Sequence, residues 1–199
     1  MRTINTIGGT SYSTVEIRDL GISVLVLSVA FAIALSRRNS EDLLILILAS
    51  AMVISTSFIA HELAHKFVAQ RFGAKAEYRM FPAGLFFALM VSFLGFMIAA
   101  PGAVHINGKL DRSMLGKIAA AGPAANIFVG AAALALTFLT DGFISSIFWM
   151  MANMNAFFAL LNMLPIIPFD GSKVRKWDLP MYFIMLSAAC ILLAAVWHL

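Results

Sequence analysis

The stretch His61-Glu62-Leu63-Ala64-His65 stands at the end of a long apolar run, and this combination decides the fold. Histidines four residues apart lie on one face of a helix, so both imidazoles can reach a single metal ion. Glu62 between them can take a proton from a water molecule that the metal activates. The preceding residues 43–54 are apolar enough to lie inside a bilayer. The sequence therefore predicts metal chemistry at a membrane helix.

The composition indicates an integral membrane protein. The chain has 199 residues, of which 61% are hydrophobic and 12% charged, and a mean hydropathy of +0.91. Six apolar runs leave no room for a separate soluble domain, so we expect one membrane domain over residues 1–199. The runs are 20–35, 43–65, 83–104, 114–139, 143–168 and 180–197.

Charge and cysteine content exclude other classes. The net charge of +4 comes from Lys and Arg in short loops between apolar runs, which is no signature of nucleic-acid binding. Cys190 is the only cysteine, so a disulfide within the chain and a cysteine-rich metal site are excluded. Residues 1–19 lack the pattern of a signal peptide, and we expect the first apolar run to be a retained membrane helix. The expected partner at this level is the lipid bilayer, with no nucleic acid.

The run at 83–104 decides the topology, because it contains Gly84, Gly95, Pro101 and Gly102. If it does not cross the membrane, twelve of the fourteen Lys and Arg residues share one side and only Arg37 and Arg38 lie on the other. If it does cross, the count is six against eight. The positive-inside rule favours the first arrangement, with the N-terminus and the basic loops in the cytoplasm. We therefore predict an all-α membrane fold of about five transmembrane helices plus a re-entrant or hairpin segment near 83–104.

A catalytic zinc site needs a third protein ligand besides the two histidines. His105 lies in a short polar loop and His198 is the penultimate residue, so both are expected to be interfacial side chains. Asp170 is the carboxylate that stands out. It follows two prolines that interrupt the helix, and the predicted topology places it on the same side as His61 and His65. The alternative is an ordinary solvated Asp-Gly turn.

Three motifs in this order resemble the site-2 protease family of intramembrane zinc metalloproteases, in a minimal form without a recognisable PDZ or CBS domain. The resemblance covers about residues 43–178. The motifs are His61-Glu62-x-x-His65, Gly122-Pro123-x-x-Asn126 and Asn162-x-x-Pro165-x-x-x-x-Asp170-Gly171.

The resemblance implies a role for each matching residue. His61, His65 and Asp170 would bind one zinc ion per chain. Glu62 would be the catalytic base, and Asn162 would hold the scissile carbonyl or its oxyanion. The implied activity is hydrolysis of peptide bonds in or near transmembrane segments of substrate membrane proteins. The charge distribution places the active-site side in the cytoplasm, so we expect a multi-pass protein of the cell membrane with a cytoplasmic active site.

Several alternatives stay open at the level of sequence. The chain could be an inactive homologue, or a metal-binding membrane protein that binds transmembrane helices without cleaving them, or a zinc hydrolase acting on other substrates. Glu62 favours an enzyme over a binding protein, since binding requires no general base. Asn126 could line the site or hydrogen-bond between helices. The stretch 81–84 could be a membrane-entry turn or an extended edge for a substrate strand.

Overall fold

Five helices in the described part of the chain are long and apolar enough to cross a membrane. The computed structural model describes residues 3–7, 10–36, 42–95, 97 and 101–198. About 20 apolar residues in a helix span the hydrocarbon core of a bilayer. The predicted number of spans is confirmed, and the protein is a multi-pass membrane protein. The five are Thr14–Ser36, Leu43–Arg71, Arg112–Thr137, Gly142–Asn162 and Leu179–Trp197.

Short strands and helices complete the fold. The second span is interrupted by one π-helical turn, Ser55–Ile59, between α2 and α3. The bounds in chain order are β1 Thr3–Ile7, β2 Thr10–Ser13, α1 Thr14–Ser36, α2 Leu43–Ile54, α3 Ala60–Arg71, β3 Lys75–Met80, α4 Pro82–Ser92, β4 Gly102–Asn107, α5 Arg112–Thr137, α6 Gly142–Asn162, α7 Gly171–Trp177 and α8 Leu179–Trp197.

The segment between β3 and β4 begins and ends at the same small sheet. The two strands pair antiparallel, with Met80 opposite Gly102, and the Phe81 amide donates to the Pro101 carbonyl at 2.7 Å. The helix in this segment, α4, has 11 residues and is about 16 Å long, too short to span the bilayer. The prediction of a segment that does not cross is therefore confirmed.

Two local expectations for this region are wrong. The stretch 81–84 offers no extended edge, because α4 begins at Pro82, a residue well suited to the first turn of a helix. His105 lies in strand β4 opposite Glu77 and not in a polar loop. The extended backbone here belongs to β3 and β4, whose pairing joins residues far apart in the sequence.

The polar start of α1 packs against β3. The Tyr78 amide donates to Glu16 Oε1 at 3.0 Å, and the Tyr78 hydroxyl lies 2.9 Å from Ser23 Oγ. Buried carboxylates are stable only with such partners, and Glu16 is fully buried. These contacts explain why α1 begins at Thr14, six residues before the apolar run that predicted it.

The chain divides into two compact units. One comprises Met1–Ser55 and Lys75–Asn107, and the other comprises Thr56–Ala74 and Gly108–Leu199. In the second unit, three fully buried alanines on α6 allow neighbouring helices to approach closely: Ala152, Ala156 and Ala159. This unit carries all the predicted metal ligands. The expected single domain stays a prediction.

Candidate metal centre

The two histidines of α3 present their ring nitrogens to each other. His61 and His65 are 6% and 8% exposed, and their Nε2 atoms lie 3.0 Å apart. One helical turn separates them, which places both rings on one face of α3 as the spacing predicts. Two protonated nitrogens at this distance would repel, so the pair is suited to share a cation.

Asp170 reaches the same point from another part of the chain. Helix α6 ends at Asn162, and the chain then runs irregularly to Asp170 at the start of α7. Asp170 Oδ2 lies 3.3 Å from His61 Nε2 and 3.1 Å from His65 Nε2, and the residue is 8% exposed. A Cβ atom at Gly171 would collide with the Met163 carbonyl, so the turn after Asp170 requires glycine.

The three ligand atoms fit a zinc ion. Tetrahedral zinc with bonds of about 2.0–2.1 Å places its ligand atoms about 3.3 Å apart, close to the distances of 3.0, 3.1 and 3.3 Å seen here. Two imidazoles and one carboxylate are also a donor set typical of catalytic zinc, which keeps a fourth position for water. Among the described residues, His61, His65 and Asp170 form the one group of three such ligands that could hold a metal ion.

Hydrogen bonds at the far side of each ring fix the tautomer that zinc requires. His61 Nδ1 lies 2.6 Å from Asn126 Oδ1, and His65 Nδ1 lies 2.7 Å from the Ile118 carbonyl oxygen. Both partners are acceptors, so each Nδ1 donates its proton and each Nε2 keeps its lone pair for a metal. Asn126, whose role the sequence left open, is therefore a direct support of one ligand.

The surroundings favour the ionised form of Asp170. Burial raises the pKa of its carboxyl, but the adjoining rings of His65 and His61 lower it by more and leave the pKa below its ordinary value. Lys173 Nζ lies 3.6 Å from the other carboxylate oxygen, Oδ1. Oδ2 is thus directed at the histidines, while Oδ1 faces the ammonium group of Lys173.

The two predicted catalytic side chains flank these ligands in the sequence. Glu62 is half-buried in the first turn of α3, directly after His61. Asn162 is the last residue of α6, and its Nδ2 donates to the Phe158 carbonyl at 3.0 Å. Glu62 directly follows His61 and Asn162 lies eight residues before Asp170, and the roles of both in catalysis stay predictions.

Comparison with known proteins gives relatives with an informative name. The chain is 39% identical over 176 residues to "Putative zinc metalloprotease MJ0611" of Methanocaldococcus jannaschii, covering 84% of this chain and 86% of that protein. It is 32% identical over 131 residues to "Putative zinc metalloprotease Rip3" of Mycobacterium tuberculosis, covering 63% of this chain and 30% of that protein. No family model and no solved structure matches the chain.

The first relative is similar over 86% of its length, and the group of possible metal ligands found here is compatible with its name. The order of the three motifs and the buried histidine–aspartate centre agree with that name. The chain therefore belongs to the site-2-protease-like family of zinc metalloproteases.

Proposed function

We propose that this chain is an intramembrane zinc metalloprotease that hydrolyses peptide bonds in or near transmembrane segments of membrane proteins. One observation carries the proposal. Two of the three metal ligands belong to the membrane-length helix Leu43–Arg71, and all three are buried. Ionisable groups at bilayer depth are costly and are usually functional. The names of the relatives support peptide hydrolysis, and the depth of the ligands supports a membrane substrate.

His61, His65 and Asp170 would hold one zinc ion. Zinc bound there would act as a Lewis acid and would lower the pKa of a bound water molecule towards about 7. Glu62 takes the proton of the attacking water while the water oxygen bonds to the carbonyl carbon of the peptide. Glu62 then delivers that proton to the leaving nitrogen as the carbon–nitrogen bond breaks.

Asn162 is the proposed partner of the developing oxyanion. Its amide nitrogen carries two protons, one of which donates to the Phe158 carbonyl. The second can donate to the substrate oxygen, where such a donor is worth about 10²–10³ in rate. The bond to Phe158 fixes the amide in place beforehand, so little reorganisation is required during the reaction.

The substrate must lose its helical structure at the bond that is cut. A helix directs its carbonyl and amide groups into its own hydrogen bonds, so an intact transmembrane helix gives the water no access. The proposed substrate is therefore a transmembrane segment that unwinds locally. The basic loops favour a cytoplasmic active-site side, from which water would enter.

The direct test is cleavage by the full chain in liposomes with a model transmembrane substrate, with the cut site determined by mass spectrometry. We expect a cut within or beside the transmembrane segment, lost in Glu62→Gln although zinc stays bound. Asp141→Asn is the matched control, since it makes the same chemical change at the start of α6, and it should cleave normally. Cleavage by Glu62→Gln would overturn the mechanism. Zinc and substrate binding without cleavage by the wild type would favour a non-proteolytic homologue.

A further inference from the structure

Two buried asparagine side chains, Asn126 and Asn155, form a hydrogen-bonded amide chain next to the His61 ring. Asn126 Oδ1 faces His61 Nδ1, and Asn126 Nδ2 donates to the Ser57 carbonyl at 2.8 Å and to Asn155 Oδ1 at 2.9 Å. Asn155 Nδ2 in turn donates to the Met151 carbonyl of its own helix at 2.8 Å. Asn126, Asn155 and Ser57 are all fully buried. Each of these contacts pairs a donor with an acceptor.

This arrangement determines which way the Asn126 amide points. Both protons of Nδ2 are used, one towards Ser57 and one towards Asn155. If the amide were reversed, its oxygen would face two other acceptors, the carbonyl oxygen of Ser57 and the Oδ1 of Asn155. Neither contact could then be a hydrogen bond. An unmatched buried polar group is costly, so the observed orientation is strongly favoured.

The backbone carbonyl that accepts from this amide belongs to a π-helical turn. In a regular α-helix a carbonyl accepts from the amide four residues later, and a π turn interrupts that ladder. Ser57 lies in the middle of the π turn Ser55–Ile59, directly before the first zinc ligand of α3. Such turns occur often at functional sites, and here one supplies an acceptor for the residue that supports His61.

We propose that Asn155 is a positioning residue of the metal centre, which acts through Asn126 to hold His61 with a protonated Nδ1 and an Nε2 directed at the metal. Asn155 lies on α6 and hydrogen-bonds to Asn126, which in turn faces His61. The partner of a ligand's other ring nitrogen commonly changes metal affinity 10- to 100-fold. Asn155 fixes the orientation of that partner, the Asn126 amide. This inference rests on the metal binding that the proposed function assigns to His61.

The test uses two readouts that need no proteolysis. Zinc affinity is measured by chelator competition on the purified full chain. The tautomer of His61 is read from nitrogen-15 NMR of the zinc-free, histidine-labelled protein, which has only four histidines. Asn155→Leu removes the acceptor while keeping the branched shape of the side chain, and Asn155→Ser is a second variant that is smaller and polar.

Asn153→Leu is the matched control on the same helix. Asn153 Oδ1 accepts from Trp197 Nε1 at 3.3 Å, so this change also removes an asparagine hydrogen bond, but one outside the amide chain. We expect both Asn155 variants to lose zinc affinity about 10- to 100-fold and to lose the pure Nδ1-protonated state of His61, while Asn153→Leu keeps both.

Wild-type affinity and an unchanged His61 tautomer in a folded Asn155 variant would overturn the inference. Absence of zinc binding by the wild type would instead refute the metal centre, so the two failures are distinguishable. Folding of each variant is checked by thermal unfolding, where a purely structural role of Asn155 would lower stability without moving the tautomer.

Discussion

A Cβ atom on Gly122 would lie 2.6 Å from Cε1 of His65. The same atom would lie 2.7 Å from Cε1 of His61, so this one glycine of α5 packs against the rings of both proposed zinc ligands. Carbon atoms that are not bonded to each other cannot approach so closely. The two rings therefore occupy the space that any side chain at this position would need. The second motif of the sequence therefore has a steric role at the metal centre.

Gly122→Ala should displace both imidazole rings and lower zinc affinity at least about tenfold, a loss comparable to that of a removed ligand support. Zinc titration of the purified protein measures the effect. Gly21→Ala in α1 is the control, because a Cβ there meets nothing within 4 Å and zinc binding should not change. Wild-type affinity in Gly122→Ala would contradict the close packing.

Lys173 should contribute little, although it faces the metal ligand Asp170. Its side chain is 55% exposed and its ammonium lies 3.6 Å from Oδ1, the oxygen turned away from the histidines. Exposed ion pairs are worth about 0–1 kcal/mol, so Lys173→Gln should change zinc affinity by less than about fivefold. Lys176→Gln, a neighbouring exposed lysine of α7, is the control. A loss as large as that of Asp170→Ala would show that Lys173 is part of the site.

Single-cysteine labelling tests the topology of α5 and its neighbours. In a Cys190→Ala background, cysteines at Lys109 and Lys176 should react with an impermeant reagent from one side of the membrane, and a cysteine at Asp141 from the other. The reason is that α5 has 26 residues, about 39 Å, which is enough to cross. The positive-inside rule places Asp141 outside the cell.

A membrane-permeant reagent should label all three positions and controls for accessibility. Labelling of the cysteines at positions 109 and 141 from the same side would refute α5 as a transmembrane helix. If the cysteine at position 141 reacts only from the cytoplasm and the one at position 109 only from outside, α5 still crosses the membrane but its orientation is the reverse of the predicted one.

The sequence predicted the spans, and the proximity of the three proposed ligands, for a physical reason. A membrane helix is a local property, since about 20 consecutive apolar residues specify it without reference to the rest of the chain. The charge distribution then placed the 83–104 run correctly as a segment that does not cross. That topology brought His61, His65 and Asp170 to one side, where the structure joins them.

What the sequence could not predict depends on pairing between distant residues. The strands β3 and β4 are short, and each is defined by the other. The π turn and the contacts of Asn126 follow from the approach of α3, α5 and α6, which no local pattern encodes. One signal was available: Asn155 lies inside an apolar run, where a buried polar side chain needs a specific partner.

The most direct test of the central claim is the zinc content of the purified full chain, compared between the wild type and Asp170→Ala. Asp178→Ala is the control, since Asp178 caps α8 through the Met181 amide and should affect stability by about 1 kcal/mol without touching zinc. The account predicts about one zinc per chain in the wild type and in Asp178→Ala, and a large loss in Asp170→Ala. Equal zinc in all three proteins, or none in the wild type, would contradict it.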